Sequence, residues 1–288
     1  MLLGLLTCAA SIGCAKPAPE KFPPAELDVS YGAPGSRSGT TLDVYTPPSD
    51  STAAVASAAR PAIIAIHGGA WRAGEKSLVD RAAARLAAEG YVVFGVNYSL
   101  APAAPWPAAL LDLQTAVRFV RANAARFGID PARVGAWGAS AGGHLATMLA
   151  LVDDPLAGET PSGGRVSAAI DGYGPSDLTI VGGMQPDEDG ILRDLLGAPR
   201  PHLTLEKLLS ASTVSYARPD AAVLIIHGPA DSFVSIEHSE RLHDALLRAG
   251  ATTQLVRVPS GGHDWSTTLA PEAWEATLAF LGTHLAAR

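Results

Sequence analysis

From residue 61 onward, short β-branched or aromatic runs alternate with stretches whose apolar residues recur at helical spacing. Strands covered on both faces read as unbroken apolar runs and crossover helices as amphipathic ones, so this alternation predicts a parallel sheet covered by helices. Pro61 to His67 is the first run, followed by a helix around Leu78 to Glu89 that Gly90 stops. Tyr91 to Asn97 is the next strand. Ala108 to Phe127 places Leu110, Leu113, Val117 and Val120 on one side and Arg118 and Arg121 between them, as a surface helix does. Arg133 to Trp137 is a strand running straight into Gly138, and a helix begins after Ser140. Val166 to Gly172, Ala222 to His227 and Thr253 to Val258 supply further strands, and Ser235 to Ala249 and Pro271 to Leu285 the remaining helices.

Before residue 61, Leu27 to Tyr31 and Thr41 to Tyr45 have no helix between them, which predicts an antiparallel edge. Between Gly174 and Ala217 the alternation lapses into two short helical patches, Ile191 to Leu196 and Leu205 to Leu209, joined by Gly and Pro. A small cap is expected there. Ser49 to Ala59 is rich in Ala and Ser and reads as a mobile loop. The expected fold class is therefore α/β: a mostly parallel eight-stranded sheet flanked by helices, with a small cap insertion at about residues 174–217 of a single domain spanning 27–288.

Composition agrees with one domain, since 288 residues at 48% hydrophobic content can bury a full core. A formal charge of -7, from 28 acidic against 21 basic residues, comes with no run of Lys and Arg that could follow a phosphate backbone. Nucleic acid is excluded as the expected partner. Both cysteines, Cys8 and Cys14, lie at the N-terminus, so the body of the chain has no disulfide and no Cys-based metal site. Met1 to Ala15 is apolar but too short to span a bilayer of about 30 Å as a helix. It reads as a signal peptide. Ser11-Ile12-Gly13-Cys14 resembles a bacterial lipoprotein cleavage box, followed by a Pro-rich tether to about residue 26. Two features depart from that pattern: no Lys or Arg precedes the apolar stretch, and Ser11 stands where Leu is usual. The expectation is export, to the periplasm or as an outer-membrane lipoprotein in a bacterium and by secretion otherwise, with Cys14 as the lipidated residue.

Gly138-Ala139-Ser140-Ala141-Gly142 fits the Gly-x-Ser-x-Gly elbow, in which small residues let the chain turn sharply from strand to helix and expose the Ser hydroxyl. With 29 glycines in the chain the pentapeptide alone carries little weight. Its setting, strand before and helix after, raises it. A helix starting behind Ser140 points free backbone N–H groups at an oxygen that becomes negative in acyl transfer. Ala141 is the expected donor there. A second set comes from His67-Gly68-Gly69-Ala70-Trp71 at a strand end, where Gly69 and Ala70 leave backbone N–H groups accessible.

A Ser hydroxyl needs a base, and the chain offers eight histidines. In folds with this elbow the order is Ser, acid, His, with acid and base on the loops after the last two strands. His227-Gly228-Pro229-Ala230-Asp231 follows one such strand and Gly261-Gly262-His263-Asp264-Trp265 the next, which selects Asp231 and His263. Asp177 and, less strongly, Asp264 are rival acids. His238 and His243 fall on helical positions expected to face solvent, as are His202 and His284, and His144 is expected to pack behind the elbow. Trp71, Trp106 and Trp265 are the candidate substrate-binding residues.

With His67-Gly68-Gly69, the elbow, and Asn97-Tyr98-Ser99-Leu100-Ala101-Pro102 continuing through Pro105-Trp106-Pro107-Ala108, the chain resembles the hormone-sensitive-lipase-like branch of bacterial α/β-hydrolase fold esterases. Leu224-Ile225-Ile226-His227-Gly228 with Asp231 is similar to the same relatives around their catalytic acid. Ala70 replaces the third Gly of that branch and Ala139 an acidic residue, which points to a related group: carboxylesterases, acetyl and feruloyl esterases, and arylformamidases. The resemblance implies a serine carboxylesterase acting on small ester substrates, with no metal and no organic cofactor. An amidase or peptidase using the same triad, and a non-catalytic binding protein on the same fold, are the other readings.

Overall fold

The computed structural model describes residues 23–32, 40–48, 59–154 and 163–287. The leader with Cys14, and most of the loop expected from Ser49 to Ala59, lie outside the described residues. In chain order the elements are β1 (Glu26–Ser30), β2 (Thr41–Tyr45), β3 (Arg60–Ile66), α1 (Asp80–Ala88), β4 (Val92–Val96), α2 (Ala108–Ala122), α3 (Ala124–Phe127), β5 (Ile129–Ala139), α4 (Ala141–Leu151), β6 (Ala168–Gly172), α5 (Glu188–Leu196), α6 (Leu205–Ser210), β7 (Ala222–His227), α7 (Glu237–Ala249), β8 (Thr252–Arg257), α8 (Trp265–Thr268) and α9 (Pro271–His284).

Among the described residues the strands form one eight-stranded sheet in the order β1-β2-β4-β3-β5-β6-β7-β8. β2 pairs antiparallel with both β1 and β4, and every other neighbouring pair is parallel. Too few residues separate β1 from β2 for a crossover helix, so they enter as a hairpin-like edge. Pro61 to Ile66 of β3, the whole of β4 and Ala222 to Ile226 of β7 are apolar because both faces of the sheet are covered there. β8, at the opposite edge, alternates exposed and part-buried residues. Residues of α2, α4 and α7 form one core with the cap helices α5 and α6, while α1 and α9 close a second core on the other face.

Two expectations change in detail. The helix expected from Ala108 to Phe127 breaks at Asn123, and Gly128, at φ 65°, turns the chain directly into pairing with Arg60. β5 therefore starts earlier than Arg133. Its register with β3 shifts between Ile129 and Val134, where Pro131 has no N–H to give to the ladder.

A larger correction concerns His238, expected on a solvent face and found fully buried. α7 turns this residue toward the start of the cap, where its Nδ1 accepts the backbone N–H groups of Ser176 and Asp177, each at 3.2 Å. His144 is equally buried beneath the cap: Nδ1 accepts from Trp71 Nε1 at 3.1 Å, and Nε2 donates to the Ala211 carbonyl at 2.9 Å. Each ring uses Nδ1 as an acceptor, so a proton there would break a bond. Burial in an apolar setting pushes both imidazoles down from 6.5 to about 4.

The pH dependence of stability follows from that direction. Groups that hold a proton less tightly when folded let the unfolded chain bind more protons, so their contribution is complete above pH ~6.5 and is lost as pH falls toward ~4. The urea midpoint is expected to fall steadily from pH 7 to pH 4.5. In His238→Asn, whose side-chain oxygen can still accept from Ser176 and Asp177, the proton uptake on unfolding drops by about one. A midpoint unchanged across this interval contradicts the account.

Candidate active site

The site is built where β5 turns into α4. Ser140 sits at that turn with φ 56° and ψ -126°, a conformation that L-residues adopt only under constraint. The constraint is the closeness of three backbones. A Cβ on Gly138 would run into the Gly142 carbonyl, and one on Gly142 would run into the Ile66 carbonyl of β3. The two glycines of the elbow are therefore required by contact, and they leave the Ser140 side chain raised above the C-terminal edge of the sheet.

Ser140 Oγ lies 2.9 Å from His263 Nε2, and His263 Nδ1 lies 2.7 Å from Asp231 Oδ2. His263 comes from the turn after β8 and Asp231 from the turn after β7, so adjacent parallel strands deliver both to one edge. The Asp231 side chain is fully buried, and its Oδ1 accepts the backbone N–H groups of Phe233 and Val234 at 2.8 Å each. Burial alone would raise its pKa. His227 Nε2 beside the carboxylate, together with hydrogen bonds from His263 and the Val234 N–H, outweighs that and holds the carboxyl well below the usual carboxylate range. Neither rival acid reaches His263. Asp177 is bonded to Arg241 at 2.7 Å and to Thr179, and Asp264 caps α8 through the Ser266 N–H at 2.7 Å.

The turn after β3 lies against the elbow, with Gly68 close enough that a Cβ would touch Ala139 and Ser140. Ala70 and Trp71 follow at φ 51° and 60°, a bend closed by the Arg72 and Ala73 N–H groups donating to the Gly69 carbonyl. Ala70 and Ala141 flank Ser140 in a cleft. Trp71, Pro175, Met184, Ile191 and Val234 supply apolar walls, with Gln185, Phe233 and His263 completing the lining. Among the described residues, no group of three or more His, Cys, Asp or Glu could hold a metal ion.

Of the three tryptophans expected at the substrate, only Trp71 lines this cleft. Trp106 instead fastens the cap to the body: Nε1 donates to the Ser210 carbonyl at 3.1 Å and the backbone N–H to that of Leu195 at 2.8 Å. Trp265 stacks on Trp137 at 5.6 Å and belongs to the α9 face of the sheet. Sequence reasoning missed His227, the fully buried last residue of β7, whose Nε2 is 3.2 Å from Asp231 Oδ2. A His ending an otherwise apolar strand four residues before the acid was the signal. Tyr173 and Phe233, whose rings lie 4.6 and 5.4 Å from that of His263, carried no signal in sequence.

The sheet order, the elbow and the hydrogen-bonded Ser140, His263 and Asp231 together define a protein of the α/β-hydrolase class. Within that class, the family model described as BD-FAE matches residues 42–246, and the chain belongs to that family. Among curated relatives, it is similar to the esterase LipQ of Mycobacterium tuberculosis, at 31% identity over 88% of this chain and 61% of that protein. It is also similar to the probable carboxylic ester hydrolase LipM of the same organism, at 30% identity over 76% of this chain and 51% of that protein. The chain thus spans about half to three-fifths of the length of these curated relatives. Among solved structures, a truncated carbohydrate esterase from gut microbiota superposes with a TM-score of 0.78 at 26% identity, covering 94% of this chain and 100% of that one. The propionate-bound esterase Est2 of Thermogutta terrifontis gives 0.70 at 26% identity, over 94% of this chain and 98% of that one. The resemblance to α/β-hydrolase esterases drawn from the sequence agrees with these matches.

The contact between α4 and β3 yields a direct test. Gly142→Ala places a methyl group against the backbone carbonyl of Ile66, which cannot swing aside as a side chain can, so the two elements must separate. The expected cost is about 1–3 kcal/mol in urea unfolding, the usual range for overpacking. A variant as stable as the parent would show that the elbow does not need this contact.

Proposed function

We propose that the protein hydrolyses carboxylic esters with short acyl groups, using Ser140 as nucleophile, His263 as general base and acid, and Asp231 to orient His263. The observation that carries this reading is the continuous chain of contacts from Ser140 Oγ through His263 to Asp231, at 2.9 and 2.7 Å, opening onto a cleft. His263 Nε2 takes the hydroxyl proton as Oγ attacks the carbonyl carbon. The carbonyl oxygen, now negative, is received by the backbone N–H groups of Ala141, Ala70 and Gly69, each such donor being worth about 3–4 kcal/mol to the transition state. His263 then gives its proton to the departing alcohol, leaving an acyl group on Ser140. Water, activated by the same imidazole, releases the carboxylate. The largely apolar walls of the cleft favour an uncharged acyl group, and the Est2 structures that hold propionate and butyrate support a short one.

Ser140→Ala is expected to lose on the order of 10⁴ to 10⁶ in turnover of p-nitrophenyl acetate. The parent is expected to react with a fluorophosphonate probe at Ser140, and the variant not to. Equal turnover by the two proteins, or no labelling of the parent, rejects the mechanism. An amide analogue hydrolysed faster than the ester would move the assignment to an amidase.

The N-terminal segment supports a further reading, in which residues 1–26 export the chain and Cys14 carries a lipid. In a bacterial host the parent then fractionates with membranes, and Cys14→Ala is released from them. A parent found wholly in the soluble fraction rules out the anchor.

A further inference from the structure

β7 is apolar from Ala222 to Ile226 and then ends in His227, whose imidazole has no exposure to solvent. Burying such a ring is costly unless each nitrogen finds a partner. Both do. Nδ1 is 2.7 Å from Ser239 Oγ on α7, and Nε2 is 3.0 Å from the Val234 carbonyl and 3.2 Å from Asp231 Oδ2. A carbonyl can only accept, so the proton of the neutral ring sits on Nε2, and Nδ1 accepts from the Ser239 hydroxyl.

That assignment gives the Nε2–H to the Val234 carbonyl and leaves its positive end beside the oxygen that His263 also uses. Asp231 Oδ2 receives His263 Nδ1 at 2.7 Å and faces His227 Nε2 at 3.2 Å, while Oδ1 takes the Phe233 and Val234 N–H groups. The carboxylate accepts three hydrogen bonds, with His227 Nε2 lying against Oδ2, and this holds it from rotating away from His263. The positive end of the Nε2–H dipole beside Oδ2 also offsets part of the negative charge that would otherwise favour the protonated form of His263.

We propose that His227 is a positioning residue for the acid: its Nε2–H, received by the Val234 carbonyl, closes the turn that sets Asp231 Oδ2 in line with His263, and it moderates the charge which that oxygen presents to the base. The inference rests on the roles given above to Ser140, His263 and Asp231. Ser239 is its outer support, because the hydroxyl it offers Nδ1 keeps the proton on Nε2. The other titratable groups around this chain are Asp171 on β6, Tyr173 beyond it, His238 on α7 and Asp264 beside His263. All four are retained in the variants below.

The test is the acid limb of the kcat/KM profile, which reports protonation of His263. In His227→Leu the donor is gone, Asp231 presents more charge to His263, and the limb is expected to rise by about half a pH unit or more. His227→Gln, whose amide nitrogen reaches nearly where Nε2 lies, is expected to restore the parent profile. Ser239→Ala is expected to move the limb in the same direction as His227→Leu, by less, and decides the matter if the Leu variant does not fold. A packing role alone would lower activity in every variant and leave the limb in place. A limb unmoved in His227→Leu, or unmoved in Ser239→Ala where the Leu variant is unfolded, overturns the proposal, as does one moved equally in His227→Gln. Fluorophosphonate labelling of the parent separates these failures from failure of the underlying mechanism, since loss of the mechanism abolishes labelling and loss of the His227 role does not.

Discussion

Three backbones meet at the Ser140 turn with no room for a side chain between them, and the rest of the site is arranged around that contact. β5 must bring Gly138 against Gly142, and α4 must bring Gly142 against β3, before Ser140 can stand clear of the sheet. A residue held at φ 56° and ψ -126° costs on the order of 1–3 kcal/mol. The strain is held by its surroundings: every residue of α4 is buried, and β5 is paired on both sides, with β3 and with β6. The turn has little alternative to the strained form, because relaxing it would pull a fully packed helix out of the core.

The same economy of position governs the partners of Ser140. Parallel strands end on the same edge, so the turns after β7 and β8 fall beside the elbow without any special folding of their own. What the turns must add is fixed orientation, and Asp231 obtains it from two backbone N–H groups within three residues of itself, from His263 and from His227. A carboxylate so supplied remains ionised although its side chain is buried.

Besides the apolar core that α5 and α6 share with the body, the cap is joined to it through buried and part-buried polar contacts. Trp106 reaches the Ser210 and Leu195 carbonyls, His144 reaches that of Ala211, and His238 receives the chain at Ser176 and Asp177 where the cap begins. Arg72, one residue beyond Trp71, pairs with Asp187 and Asp194 of the cap at 3.1 and 3.3 Å. The wall of the cleft that carries Met184, Gln185 and Ile191 is thus registered against the wall that carries Trp71.

The sequence by itself determined the parts whose causes are local. Strand and helix succession follows from residue spacing, the elbow from five consecutive residues together with the strand before and the helix after them, and the order of Ser140, Asp231 and His263 from the strands they follow. Tertiary structure alone put Asp231, and neither Asp177 nor Asp264, against His263, because all three stand in turns near strand ends and only distance separates them. Structure also took His238 out of solvent and set Trp106 and Trp265 away from the cleft. Those outcomes depend on which face of a helix meets a cap with no regular period, and on which side of the sheet a turn descends. His227 belongs to the same class: its partners on Asp231 and Ser239 are fixed by how β7 packs against α7, and a buried histidine that orients an acid is spelled like any other. Ser140 and His263 are 123 residues apart in sequence, and their 2.9 Å separation is a property of the sheet.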